Sequence, residues 1–372
     1  MPSPVLTRVN QTASIQNPEG FLELIQMRPD ERLDADRVGE YLKDKLPDAE
    51  GRPQILQFEG GKANLTYLLR YPRREFVLRR PPLGPVAPKA HDMERESLVL
   101  SRLYQAYPLA PRSYHYCADP SIVGAPFFVM ERRAGIVIRE KIPDRFMGRP
   151  GLFGRMSEMI VDALAALHLV DPDSVGLGAL GRPEGFIERQ VKGWLQRWEL
   201  AKTAEVPRFH LLHDWLIARV PKSQRVALLH NDYKLDNMMV DRDDPAKAVA
   251  VFDWDMSTLG DPLADLGTLL GYWTDARDSD ARKAFSPMPT HLPGFWSRDQ
   301  VIERYAQRSG LDPGQARFYE IFALYKTTVI IQQIYVRFHR GQTQDTRFSS
   351  YGQRALGLLD AAWELVAGGK WD

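Results

Sequence analysis

Hydrophobic periodicity changes once along this chain, and that change limits the available folds more than any other feature. From residue 55 to residue 130, short β-prone runs at 55–58, 66–71, 76–79, 114–117 and 127–130 are broken by turn residues, among them Gly60-Gly61 and Pro72-Arg73-Arg74. Runs of that length between turn-formers are the pattern of a meander of antiparallel strands. One segment in their midst, 92–107, carries Leu98 and Leu103 at helical spacing. After Gly135 the period becomes helical: Met156, Met159, Ile160, Ala163, Leu164 and Leu167 form one apolar stripe over 155–169. The expected class is therefore α+β, with an antiparallel five-stranded lobe and one main helix over residues 1–130 and a mostly helical lobe over 131–372. Residues 1–30 read as a loose arm, followed by a short helix over 34–46 capped by Asp34.

A chain of 372 residues has ample length for two packed units. Its 49 Lys and Arg against 48 Asp and Glu leave a formal net charge of +1. That balance supplies no global attraction to nucleic acid or to an anionic membrane, so an anionic ligand has to be held locally. The single cysteine, Cys117, stands in an apolar, aromatic stretch and can form neither an intramolecular disulfide nor a thiolate metal cage. The N-terminal residues lack the basic start and apolar run of a secretory signal, and no window is apolar over the roughly 18 residues that a spanning helix needs. A reduced, cytoplasmic setting without membrane or nucleic-acid partners is the expectation. The histidines show no metal-ligand spacing and no G-x-S-x-G elbow is present, which argues against zinc enzymes and serine hydrolases.

The helical half is interrupted at 237–255, where Met238-Met239-Val240 and an apolar run at 248–252 flank Asp241-Arg242-Asp243-Asp244-Pro245, a hairpin signature. Just before it stands His230-Asn231-Asp232-Tyr233-Lys234-Leu235-Asp236-Asn237, and just after it Phe252-Asp253-Trp254-Asp255. The first fits H-x-D-x-x-x-x-N, a loop in which the Asp receives or orients the proton of an attacking hydroxyl and the Asn binds Mg2+. Phosphoryl transfer asks a protein mainly to position groups and neutralise charge, so base and metal ligands must sit side by side. Asp232 and Asn237, on one tight loop, can serve those neighbouring places, and the hairpin would return Asp253 to share the metal. Hard oxygen ligands of this kind suit Mg2+. Asp255 is a further candidate ligand, weighed against a structural hydrogen-bonding role. Any one of these residues alone would be an ordinary turn-former or cap; the ordered set of loop, hairpin and second Asp selects the chemistry.

These motifs carry a family resemblance. The stretches LLHNDYKLDNMMVD and VFDWDMSTLGDPLADLG are similar to those of the aminoglycoside phosphotransferase-like kinases, particularly the branch fused to, or found alongside, acyl-CoA dehydrogenases. The likeness extends over residues 30–370. It implies a protein-kinase-like two-lobed fold, with ATP or GTP as co-substrate, Mg2+ as cofactor, and a small hydroxylated molecule as acceptor of the γ-phosphate. It further implies Asp232 as catalytic base, Asn237 and Asp253 as metal ligands, and His230 as a brace of the loop. Gly260-Asp261-Pro262 and Asp265-Leu266 become a structural segment behind the site. Lys234 stands where many protein kinases carry a phosphate-contacting Lys, against the alternative of a solvated surface Lys.

In the first lobe, Gly60, Gly61 and Asn64 lie between strand candidates, where backbone N–H groups can approach phosphate oxygens; a simple hairpin turn accounts for the two glycines equally well. Phe76-Val77-Leu78-Arg79 matches the kinase strand that carries the phosphate-binding Lys, with Arg in its place. Arg binds phosphate through a planar fork of different reach, so the two are not equivalent. Arg80 falls on the opposite strand face. Glu96 is the expected helical partner of Arg79, with Glu94 as the alternative. Met130, Glu131 and Arg132 fall at the strand and hinge where the resemblance puts the adenine.

Acceptor contacts are sought among Trp194, Trp198, Tyr272, Trp273, Tyr325, Gln332, Tyr335, Arg337 and His339, most of which would also serve as core. Arg337 and Arg340 would suit an anionic acceptor such as a hydroxyacyl-CoA, or only the helix dipole. Competing readings are a metal-dependent phosphohydrolase using water and a nucleotide-binding pseudokinase scaffold, the latter kept open by Arg79.

Overall fold

The computed structural model describes residues 24–59, 64–82 and 92–369. Six strands, β1 (Leu24–Ile25), β2 (Gln54–Phe58), β3 (Leu65–Arg70), β4 (Glu75–Arg80), β5 (Ser113–Cys117) and β6 (Phe127–Glu131), form one antiparallel sheet in the order β1-β2-β3-β4-β6-β5. Five of them are the expected ones. The sixth corrects the reading of residues 1–30 as a loose arm: Leu24 pairs with Phe58 and Ile25 with Gln57. A two-residue strand is too short to mark itself by alternation. Between β1 and β2, helix α1 (Ala35–Leu42) starts where the Asp34 side chain accepts the backbone N–H groups of Asp36 and Arg37. Between β4 and β5 comes α2 (Met93–Leu103), capped by Asp92.

Both faces of the sheet are covered. Tyr67, Leu69, Phe76, Leu78 and Val129 join a cluster with Val38 and Leu42 of α1. Leu68, Val77, Phe128 and Met130 face the other way, into a larger core shared with α2 and the helices that follow. Period-two geometry then puts Arg79 on the inner face with Val77, and Arg80 on the outer face, where it reaches Tyr67 Oη at 3.0 Å.

After Glu131 the chain is mainly helical: α3 (Leu152–His168), α4 (Phe186–Ala201), α5 (Pro207–Ile217), α6 (Leu263–Tyr272), α7 (Asp280–Phe285), α8 (Arg298–Ser309), α9 (Ala316–His339) and α10 (Tyr351–Gly368). α6 and α9 pack so closely that a Cβ on Gly267 would lie 2.3 Å from the Tyr319 carbonyl oxygen. Two small antiparallel pairs interrupt the helices, β7 (Ala227–Leu229) with β10 (Thr258–Gly260) and β8 (Met238–Val240) with β9 (Ala248–Val251). The second pair is stitched to the segment leaving the sheet, because Ile136 and Val240 exchange backbone hydrogen bonds at 2.9 Å. Gly135 permits that approach: a Cβ there would meet Val240 O at 2.4 Å. Among the described residues no helix is long and apolar enough to cross a membrane.

Candidate active site

Strand β7 delivers the chain into the loop 230–237, and α6 anchors the loop from behind. The fully buried Asp265 carboxylate accepts the backbone N–H of His230 at 2.6 Å and of Asn231 at 2.7 Å, and His168 Nε2 lies 3.3 Å from it. Burial alone would raise the pKa of this carboxyl, but the His168 contact and the backbone N–H of His230 hold it below the ordinary aspartate range. Asn231 adopts a left-handed conformation, with φ of 66°. Asn tolerates that region better than most residues, and here both its N–H and its side chain are tied, the latter to Met256 O at 2.8 Å.

His230 braces the loop. Its Nε2–H donates to Phe252 O at 2.7 Å and its Nδ1 accepts the Asp232 N–H at 3.3 Å, which fixes the tautomer and ties loop to hairpin. The Asp232 carboxylate receives three donors: Lys234 Nζ at 2.6 Å, Asn237 Nδ2 at 3.0 Å and the Tyr272 hydroxyl at 3.1 Å. Asn237 Nδ2 also donates to Asp232 O at 2.9 Å, which leaves its side-chain carbonyl as the atom able to meet a cation. The β8–β9 register pairs Met238 with Val251, and the Phe252 N–H closes on Asn237 O at 2.8 Å. Asp253 therefore emerges next to Asn237.

Asp253 is itself left-handed, at φ of 68°, and its Oδ1 accepts from Arg79 Nη2. Arg79 Nη1 donates to Glu96 of α2 at 2.6 Å, and the Trp254 N–H approaches the same Glu96 oxygen at 3.4 Å. One guanidinium thus joins the sheet, α2 and the segment after the hairpin. Burial works against the Arg79 charge, but Glu96 and then Asp253 outweigh it, so Arg79 is held more firmly protonated than usual. Glu96 is pushed upward chiefly by its burial, with Arg79 opposing and Asp253 and Asp255 adding to the push. At Asp253 the Arg79 contact, aided by Lys234, overcomes burial and keeps the carboxyl low. Asp255 rises to about 6, from burial first and Asp253 second. Asn237, Asp253 and Asp255 offer side-chain oxygen atoms, which are hard donors. Among the described residues no group of three or more His, Cys, Asp or Glu forms a protein-only cage. Mg2+, which uses one or two carboxylates and keeps sites for water and phosphate, fits such a donor set.

Of the residues singled out from sequence, Arg79, Glu96, His230, Asp232, Lys234, Asn237, Asp253 and Asp255 come together here. Lys234 is largely buried against Asp232 and over the Tyr272 ring, not a solvated surface Lys. Gly60 and Gly61 lie outside the described residues, and Asn64 is buried at the start of β3. At the chain segment leaving the sheet, Met130 is buried, Glu131 accepts the Arg112 N–H at 3.2 Å, and Arg132 lies over the Phe58 ring.

Several acceptor-wall candidates are core instead. Trp198 stacks on Phe209 with ring centres 4.0 Å apart, Phe209 stacks on Tyr325, and Trp273 is fully buried with its Nε1–H bonded to Trp296 O. Tyr272 belongs to the site, but through its bond to Asp232. Lys326 of α9 was missed: it is buried and donates to Asn231 O at 2.7 Å. A lone Lys inside the apolar run of α9 was the available signal.

Similarity to known proteins bears on the family and the fold. The sequence model of the phosphotransferase enzyme family matches residues 54–319. Mouse acyl-CoA dehydrogenase family member 10 is 31% identical over 346 residues, which is 89% of this chain but 31% of that protein. The chain thus spans about a third of the length of that curated relative. A Ralstonia eutropha JMP134 structure described as a candidate aminoglycoside phosphotransferase superposes with a TM-score of 0.78 at 27% identity, covering 91% of this chain and all of that one. Aminoglycoside phosphotransferase APH(4)-Ia, solved as a thermostable mutant with AMP-PNP and hygromycin B, shares the fold at a TM-score of 0.57 and 16% identity, over 89% and 99% of the two chains. With a kinase-like two-lobed fold and a family match over most of its length, the chain belongs to the phosphotransferase enzyme family.

Proposed function

We propose that this protein transfers the γ-phosphate of ATP (or GTP) to a hydroxyl of a small molecule, with Asp232 as the base. The observation that carries the reading is the convergence of three donors on the Asp232 carboxylate while Asn237 and Asp253 stand beside it. A carboxylate held in one orientation can receive the proton of an incoming alcohol as its oxygen attacks the phosphorus in line. The ammonium of Lys234 faces the charge that develops on the transferred group, and Tyr272 fixes the rotamer of Asp232. Asn237 and Asp253, with Asp255 behind them, would hold Mg2+, which when bound neutralises the phosphate oxygens. Arg79, braced by Glu96, supplies a fork for the nucleotide phosphates in place of the usual Lys.

The absence of a strongly acidic overall balance argues against a polycationic antibiotic as acceptor. A hydroxyacyl-CoA is the acceptor class we favour, in keeping with the acyl-CoA dehydrogenase names of the relatives. Acceptor-dependent ADP formation across a panel of hydroxylated metabolites, hydroxyacyl-CoA compounds included, tests this. Turnover should require Mg2+ and vanish in Asp232→Ala. Equal ADP release with and without every alcohol would instead make the protein a phosphohydrolase.

A further inference from the structure

Lys326 is a buried lysine that makes no ion pair with the described residues, and its hydrogen-bond partner among them is the Asn231 carbonyl, at 2.7 Å. Taking an ammonium out of water is costly, and a neutral donor would satisfy a carbonyl as well. A lysine kept in such a place calls for a reason beyond packing. The residue it holds supplies one. Asn231 is left-handed, stands immediately before Asp232, and has its N–H, its side-chain amide and its carbonyl held by three different parts of the fold. Its N–H goes to Asp265 of α6, its side chain to Met256 after the hairpin, and its carbonyl to Lys326 of α9. Lys326 holds the peptide plane that leads into Asp232 from its carbonyl side, opposite the Asp232 N–H that goes to His230 Nδ1 at 3.3 Å. Burial, with Lys234 and Arg197 adding to it, lowers the Lys326 pKa below the ordinary lysine value, while Asp232 and Asp265 oppose the shift.

We infer that Lys326 is a positioning residue for phosphoryl transfer, holding the Asn231–Asp232 peptide so that the Asp232 carboxylate meets Lys234, Asn237 and Tyr272. This rests on the reading of Asp232 as the base. A purely structural lysine would lower stability, nucleotide affinity and rate together, whereas a positioning lysine lowers kcat alone.

The test uses the full chain as wild type, Lys326→Met and Lys326→Gln, with initial rates of Mg2+-ATP turnover in water and with the hydroxylated panel, and melting curves with and without Mg2+-ATP. Lys326→Met should lower kcat about 100-fold, the scale of a misplaced reacting group, with KM for ATP and the ATP-induced rise in melting temperature unchanged. Lys326→Gln, which retains an N–H donor, should recover part of the rate. If Lys326→Met fails to fold, Lys326→Gln is expected to show the same separation of kcat from KM. Wild-type kcat in Lys326→Met, or a parallel loss of kcat and ATP binding in the folded variants, overturns the inference. A wild-type chain without any Mg2+-ATP turnover overturns the reading beneath it, and this inference with it.

Discussion

Arg79 of β4 and Asp253 after the β8–β9 hairpin, 174 residues apart in sequence, are joined by a side-chain ion pair that bridges the sheet and the helical part of the protein. The same guanidinium holds Glu96, so one side chain sets the position of α2 and of a candidate metal ligand. Arg79→Ala would leave Glu96 buried without its counter-charge. Breaking a buried pair by removing one partner costs about 3–5 kcal/mol, so the melting temperature should fall clearly and KM for ATP should rise. Unchanged ATP kinetics in Arg79→Ala would remove Arg79 from the nucleotide site.

Tyr272 donates to the carboxylate that we assign as the base. Tyr272→Phe removes one of three donors and leaves the ring that lies against Lys234. The expected result is a roughly tenfold fall in kcat with KM for ATP unchanged, the size of one hydrogen bond to a charged group. An effect on KM for the acceptor alone would make Tyr272 a wall of the acceptor site instead.

The Asp265 carboxyl has a folded-state pKa below its ordinary value, so its hydrogen bonds stabilise the fold fully above the unfolded value of about 3.9. That contribution is lost as pH falls below this value toward the folded one. Asp265→Asn should therefore be less stable than wild type at neutral pH, and the gap should narrow as acid is added. Urea midpoints measured at a series of pH values read this directly; a gap that stays constant into strong acid would contradict it.

Gly135 lies against the hairpin that presents Asn237 and Asp253. Gly135→Ala would push a methyl into Val240 O and Met239, at 2.4 Å and 2.6 Å, so the segment must shift. Overpacking of that kind costs about 1–3 kcal/mol, and the displaced hairpin should also weaken Mg2+-dependent ATP binding. A variant as stable as wild type would show that the segment relaxes freely.

Much of this was legible in the chain because the signals are local. Short β-prone runs at 66–71 and 76–79, set off by turn residues, mark strands whose two faces are both covered, and Asp34 marks a helix start. The loop from His230 to Asn237 and the turn-rich Asp241 to Pro245 lie within a few residues of what they position. The two-residue β1 was not legible, since its partners are Gln57 and Phe58 and nothing nearby encodes the pairing. Nor was the contact of Lys326 with Asn231, across 95 residues: α9 is buried on nearly every side, so periodicity gives no face on which to place a lysine. Trp198 and Tyr325 were ambiguous for the same reason, since aromatic side chains look alike in sequence whether they stack in a core or line a pocket.

With Asp253 as a metal ligand of the nucleotide site, ATP binding depends on Mg2+ through this one carboxylate. Calorimetric titration of ATP, with and without Mg2+, into wild type and Asp253→Asn tests it most directly. Mg2+ should tighten ATP binding in the wild-type chain, and that gain should be absent in Asp253→Asn. No ATP binding to the wild type, or a Mg2+ effect of full size in Asp253→Asn, would contradict the account.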